Sequence, residues 1–202
     1  MKLFYSTAAC SLSPHIVLRE AGVKFDLELV DLATHKTANG VDYTTINPKG
    51  YVPALLLDNG ELLTEGPAIV QYIADQNPQT KLAPAAGTFE RVRLQEMLNF
   101  ISTELHKQFP PLFNPTSTEE DRAAAVEKVQ SRLSLLDKQL GDGRSYLFGE
   151  QFSVADAYLF VIVNWTFFLK VSISNFPNIG AFYQRVAQRD KVKEALRAEG
   201  IG

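Results

Sequence analysis

Asn47-Pro48-Lys49-Gly50-Tyr51-Val52-Pro53-Ala54-Leu55-Leu56-Leu57-Asp58-Asn59-Gly60-Glu61-Leu62-Leu63-Thr64-Glu65-Gly66-Pro67 is the stretch that decides the fold. Two apolar runs, Ala54 to Leu57 and Leu62-Leu63, flank Asp58-Asn59-Gly60-Glu61. Asn-Gly in that position is a strong hairpin signal, because both central residues of a type I′ turn need positive φ. Pro67 then predicts a first helical position with Gly66 as its N-cap, and Ile69, Val70, Tyr72 and Ile73 form the apolar face of the helix that follows. Upstream, Asn39-Gly40 and Asn47-Pro48-Lys49-Gly50 are turn signals.

Working outward, Lys2 to Tyr5 reads as a short buried strand. Pro14 begins a helical pattern (Ile16, Val17, Leu18, Ala21) that Gly22 stops. Phe25, Leu27 and Leu29 then alternate with Asp26, Glu28 and Val30, the period of a strand. Strand, helix, strand at this spacing is a βαβ unit with parallel strands. The sum over residues 1–80 is βαβ followed by ββα, a mixed four-stranded sheet on the thioredoxin-like plan. A linker around Lys81 to Thr88 leads into residues 88–202, read as an all-α helical bundle. There Leu94, Leu98, Ile101 and Leu105 form one amphipathic stripe ending near Pro110-Pro111. A second helix starts around Ser117 or Thr118 with Glu119, Glu120 and Asp121 in its first turn, and Gly141-Asp142-Gly143 ends it. Ser153-Val154-Ala155-Asp156 resembles a capping box that opens the most apolar helix.

Composition excludes several classes. The chain has 202 residues, 21% of them charged, with a formal net charge of −3. The signs are interspersed, so the clustered positive field of a nucleic-acid binder is missing. One cysteine, Cys10, forbids an intrachain disulfide and suits a reducing cytosol. His15, His35 and His106 lack metal-ligand spacing, so no metal is expected. Ala155 to Leu169 contains Asp156 and Asn164 and falls short of a membrane span, which needs about 18 apolar residues. Leu3-Phe4-Tyr5 before Thr7-Ala8-Ala9-Cys10 is too short for a signal sequence.

Cys10 falls between the first strand and first helix in Cys10-Ser11-Leu12-Ser13. A thiol there should face unpaired helix N–H groups and the positive end of the macrodipole, which favour thiolate. Read alone, a single cysteine is more often a small buried hydrophobe. Val52-Pro53 should leave the Val52 backbone groups free to pair with an extended peptide. Glu65 can meet an ammonium while N–H groups at Gly66 hold a carboxylate, which together suit a zwitterionic amino-acid head. Asn99, Thr103 and His106 share a face of the long helix at +4, +3 spacing, otherwise an ordinary solvated face. Phe109, Phe113, Trp165, Phe167 and Phe168 are mostly core, with one or two available to line an apolar pocket.

These residues resemble the bacterial beta-class glutathione transferases nearly end to end. The likeness is carried by Lys2-Leu3-Phe4-Tyr5, Ala9-Cys10-Ser11-Leu12, Asn47 to Leu55, Leu63-Thr64-Glu65-Gly66, Thr103-Glu104-Leu105-His106-Lys107 and Phe152 to Leu159. It implies a cis Val52-Pro53 bond and glutathione as co-substrate, with Cys10 and His106 near its sulfur. It also implies that Val52 pairs with the cysteinyl backbone and that Glu65 and Gly66 hold the γ-glutamyl group. Asn99, Thr103 and Glu104 look like further contacts in a homodimer, one of them reaching a neighbouring subunit's site. His35 stands where relatives often carry lysine near the glycyl carboxylate, and Gly66 where many carry serine. Tyr5 reads as packing. The expected activity is conjugation of glutathione to a small electrophile. Thiol–disulfide exchange or peroxidase chemistry through Cys10, and a non-catalytic binding subunit, are the alternatives.

Overall fold

The computed structural model describes residues 1–201, which form two compact units, residues 1–83 with 189–201, and residues 84–188. In the first unit the chain runs β1 (Lys2–Tyr5), α1 (Leu12–Glu20), β2 (Asp26–Asp31), β3 (Lys36–Thr37), β4 (Ala54–Leu56), β5 (Leu62–Thr64) and α2 (Gly66–Gln76). Helix α8 (Asp190–Ala198), near the end of the chain, packs with these elements and lies against α1.

The sheet order is β3-β2-β1-β4-β5. β1 pairs parallel with β2 and antiparallel with β4, so Leu3 lies opposite both Leu27 and Leu55. The sheet has five strands rather than the expected four. The addition, Lys36–Thr37, is a two-residue strand antiparallel to β2, too short to leave a periodic pattern. On β2 the buried side chains are Glu28 and Val30, while Leu29 is exposed. Glu28 tolerates burial because Asn39 Nδ2 donates to it at 2.7 Å and Lys2 Nζ lies at 3.5 Å.

Three local expectations are corrected. Helix α1 starts at Leu12, so Pro14 sits in its first turn instead of opening it. Proline is tolerated there because the first N–H groups have no intrahelical acceptor. The hairpin turn closes through Gly60 N–H to the Leu57 carbonyl at 3.0 Å, and Gly60, not Asn59, carries the positive φ of 88°. That is the glycine-bulge alternative to a type I′ turn. Helix α2 begins at Gly66, so Glu65 takes the cap position and Pro67 is the second helical residue.

The second unit holds α3 (Phe89–Asn99), α4 (Pro110–Phe113), α5 (Glu119–Leu140), α6 (Val154–Phe168) and α7 (Pro177–Ala187). The single long helix expected through Leu105 is broken. After Asn99 the backbone becomes π-helical over Phe100–Leu105 and then 3-10 over His106–Gln108. Thr118 caps α5 with Asp121 in a reciprocal capping box.

Every residue of α6 from Val154 to Thr166 is buried, which is why the helix is apolar on all sides. The polar anchor at its start is Asp156. Its carboxylate accepts from Leu147 N–H at 2.8 Å, Ser153 N–H at 2.8 Å and the Ser153 hydroxyl at 2.6 Å. Complete burial pushes this carboxyl up to about 6, against three hydrogen bonds that favour the ionised form. Asp156→Ala orphans two buried N–H donors and should cost about 2–4 kcal/mol. Urea unfolding checks this; a loss under about 0.5 kcal/mol would remove Asp156 as the anchor of α6.

Candidate active site

In the first unit the chain leaves β1 through a tight turn and enters α1. Ala9 N–H donates to the Ser6 carbonyl at 3.1 Å. The Ser11 hydroxyl, 3.2 Å from both, accepts from Ser6 N–H and donates to the Ser6 carbonyl. Cys10 sits on this turn, half-buried. Two helix N–H groups expected to be unpaired are occupied, Leu12 N–H by the Ala9 carbonyl and Ser13 N–H by the Cys10 carbonyl. The Cys10 thiol itself donates to the Val52 carbonyl at 3.5 Å. That contact favours the protonated thiol, whereas the helix terminus favours thiolate.

Of the Val52 backbone groups expected to be free, the carbonyl is engaged by Cys10. The Val52 side chain, 5% exposed, packs with Phe4, Val30, Tyr43 and Ala54. The Val52-Pro53 bond is cis, as the resemblance implied. Just upstream, the Tyr51 carbonyl accepts from the Tyr43 hydroxyl at 3.1 Å and from Asn47 Nδ2 at 2.8 Å. Asn47 is thus the buried residue that holds the approach to the Val52-Pro53 step.

Glu65 has a left-handed φ of 68°, a conformation that costs a non-glycine residue roughly 1–3 kcal/mol and clusters at functional sites. Its Oε1 accepts from Lys49 Nζ at 2.7 Å and from the Tyr51 hydroxyl at 3.3 Å. Lys49 also donates to the Thr64 hydroxyl at 2.9 Å, and Glu65 holds the Lys49 ammonium above its ordinary range. Lys49 and Tyr51 belong to the motif around Val52-Pro53, and their pairing with Glu65 emerges only in the fold. The two residues flank Gly50, whose positive φ of 71° makes this a turn and not a strand, so no spacing rule points to the pair. A Cβ on Gly66 would meet Pro53 Cγ at 3.8 Å, so the α2 terminus and the cis-proline are neighbours. His35, at φ 52°, donates through Nδ1 to the Gly50 carbonyl at 3.1 Å and covers Gly50 closely.

In the second unit, Asn99 and Thr103 are exposed, and the Thr103 hydroxyl donates to the Asn99 carbonyl at 3.0 Å. Glu104 pairs with Arg132 at 3.1 Å, a partner 28 residues away that no spacing rule could supply. The π-helical turn invalidates the 100° phase by which Asn99, Thr103 and His106 were placed on one face.

His106 instead turns into an aromatic cluster. Its Nδ1 lies 2.7 Å from the Tyr158 hydroxyl, and its ring meets Trp165 edge-on at 4.8 Å. Trp165 also contacts Phe109 at 5.4 Å and Phe113 at 5.1 Å. Of the expected pocket aromatics, Phe109 and Trp165 are core, while Phe113, Phe167 and Phe168 are exposed. Burial, with a smaller contribution from Lys107, pushes the His106 imidazole down to about 4. It is neutral at pH 7 and a poor proton acceptor there. With Tyr158 donating to Nδ1, the ring presents Nε2–H as a hydrogen-bond donor.

This depression has a measurable consequence. On acidification the unfolded chain takes up the His106 proton first, near 6.5, and the folded chain only near 4. Stability from this group is complete above pH 6.5 and falls by about 1–2 kcal/mol by pH 5. Urea unfolding of the wild type and His106→Gln between pH 7 and 5 should show the wild type losing more. Parallel losses would mean that His106 titrates normally.

A five-stranded sheet of mixed direction, with the carbonyl before a cis-proline meeting a thiol at a helix start, and an all-helical second unit define a thioredoxin-like domain joined to a helical domain. Known domain families match both parts: the glutathione S-transferase N-terminal domain over residues 8–76 and the C-terminal domain over residues 100–190. The chain is 46% identical to glutathione S-transferase GstA of Escherichia coli O157:H7 over 201 residues, 100% of each. Among solved structures, a sphingomonad glutathione S-transferase complexed with glutathione matches with TM-score 0.96 and 51% identity, covering 100% of both chains. A bacterial beta-class glutathione S-transferase of Sphingomonas chungbukensis matches with TM-score 0.96, 52% identity and the same coverage. The chain belongs to the glutathione S-transferase family, within its bacterial beta class.

Proposed function

We propose that this protein is an enzyme that conjugates the thiolate of glutathione to small electrophilic apolar substrates. The observation that carries the reading is the Cys10–Val52–cis-Pro53 arrangement beside the Glu65-Gly66 helix start. An extended thiol peptide with an amino-acid head matches those elements: backbone pairing along the segment at Val52, an ammonium at Glu65 and a carboxylate at the α2 terminus. Cys10 lies where it would contact the glutathione sulfur. The role given to His106 comes from the resemblance to the beta class: neutral and hydrogen-bonded to Tyr158, it would act as a hydrogen-bond donor to the thiolate and not as a base. Asn99, Thr103 and Glu104 are proposed as further polar contacts from the resemblance to the beta class, and the exposed Phe113 as apolar surface for the electrophile. No group of three or more His, Cys, Asp or Glu side chains among the described residues could hold a metal ion, and the reaction needs none.

The protein works as a homodimer in the cytoplasm, in detoxification. The support is the likeness to the bacterial beta-class transferases, together with a lone cysteine outside any disulfide. Thiol–disulfide exchange through the half-buried Cys10 is the second reading, favoured by its place at a helix start.

Isothermal titration of glutathione into wild type, Cys10→Ala and His106→Ala tests the assignment. One site per subunit, weakened about three- to thirtyfold by either substitution, is the expected result. Absence of binding at millimolar glutathione would leave a transferase fold with another task. His35 tests the glycyl end: His35→Lys should tighten glutathione about two- to fivefold, in the range of an exposed ion pair. It should leave γ-glutamylcysteine, which lacks the glycine, unchanged. An equal gain for both ligands would move His35 away from the glycyl carboxylate.

A further inference from the structure

The turn that carries Cys10 is held by a carboxylate from the far end of the chain. Glu199 follows α8 as its C-terminal cap, and its side chain is completely buried. Oε2 accepts the Ala8 N–H at 3.0 Å, and Oε1 lies 2.8 Å from His15 Nδ1. Arg19 Nε donates to His15 Nε2 at 2.8 Å. Because Arg19 has no acceptor capacity, Nε2 must accept, which leaves the ring proton on Nδ1 and directs it at Glu199. Arg19, His15, Glu199 and Ala8 thus form one chain of hydrogen bonds beneath the turn.

Ala8 is two residues before Cys10 and has a left-handed φ of 59°. For alanine that conformation costs roughly 1–2 kcal/mol, so the surroundings must enforce it. A backbone donor to a buried carboxylate is a charge-assisted bond of the strength required. Attachment of α8 does not by itself require this buried charge. Arg189, at the helix start, grips Glu20 of α1 through two bonds of 2.6 and 2.8 Å, and Arg19 approaches Glu194 at 3.6 Å. Burying a carboxylate is expensive, and two further side chains, His15 and Arg19, are ordered with it to hold one backbone N–H in place. The negative charge also reaches Tyr5, whose phenol is pushed up by burial and then by Glu199.

We infer that Glu199 is a positioning residue for the Cys10 thiol. Through the Ala8 N–H it sets the turn that holds Cys10 at the start of α1 and against the Val52 carbonyl. His15 and Arg19 orient the carboxylate. The inference deepens the reading of Cys10 as a glutathione contact, and its consequence for catalysis rests on that reading.

Cys10 is the sole cysteine of the chain, so its alkylation by iodoacetamide reports the turn directly and without glutathione. In Glu199→Gln the new amide opposes the His15 Nδ1–H with its own N–H₂ or gives up the Ala8 bond, and either loosens the turn. Loss of the helix terminus, which favours thiolate, is expected to outweigh release from the Val52 carbonyl, so alkylation at neutral pH slows about three- to tenfold. Arg189→Ala is the control that weakens the α8 attachment and leaves Ala8 untouched. It should lower the urea midpoint and alkylate at the wild-type rate. A wild-type rate in Glu199→Gln overturns the inference, and so does an equal slowing in Arg189→Ala at the same loss of stability. If Glu199→Gln does not fold, His15→Gln is judged by the same two criteria. Glutathione titration of the same samples separates the two ideas. Slowed alkylation in a protein whose wild type binds no glutathione would support the positioning and refute the ligand.

Discussion

β1 is paired on both edges, and the first unit is built around that constraint. Lys2 to Tyr5 lies parallel to β2 on one side and antiparallel to β4 on the other, with Leu3 and Phe4 buried. A strand with both edges used cannot be extended or shifted without breaking two ladders at once. A one-residue slip would also exchange its buried and outer faces. The chain must therefore leave the sheet just after Tyr5 and reach α1 within a few residues. That short exit is the turn with Ala8 in the left-handed region and Cys10 at its end.

The position of β4 beside β1 accounts for the other half of this corner. Val52-Pro53 precedes β4, so its carbonyl arrives beside the end of β1 where Cys10 emerges. Asn47 and Tyr43 hold the Tyr51 carbonyl from below, and Val52 fills the core that Phe4 and Tyr43 begin. Sheet pairing, a buried amide and one apolar side chain converge on the same few atoms. Glu65 follows from the next connection, since β5 pairs with β4 and leads straight into α2. Lys49 and Tyr51 then reach Glu65 from the segment before the cis-proline.

In the second unit the determining feature is the departure from α-helical winding between Phe100 and Leu105. The apolar stripe Leu94, Leu98, Ile101 and Leu105 stays buried through it, while the residues after Asn99 change phase. His106 consequently meets Tyr158 and Trp165 of α6 rather than presenting a solvated face. Its low basicity is a product of that burial. A histidine of ordinary basicity would be partly charged at neutral pH, whereas this one is a neutral hydrogen-bonding group.

The sequence by itself determined the order of elements, because hydrophobic period, capping residues and turn residues act over a few neighbours. The hairpin at Asn59-Gly60, the acidic first turn after Thr118, the capping box at Ser153, and the helical character after Thr88 were all legible for that reason. The likeness to the beta-class transferases added the cis bond at Val52-Pro53 and the names of the site residues, but no geometry. Only the tertiary structure decided the partners. Glu104 with Arg132, His106 with Tyr158, and Glu199 with His15 and Ala8 join residues 28 to 191 positions apart. It also decided that two N–H groups at the start of α1 are occupied, that β3 exists, and that a π-helical turn sits between Asn99 and His106. Each depends on what another part of the chain brings to the same place. Local pattern carries no information about that, since pairing at long separation is set by packing and not by spacing.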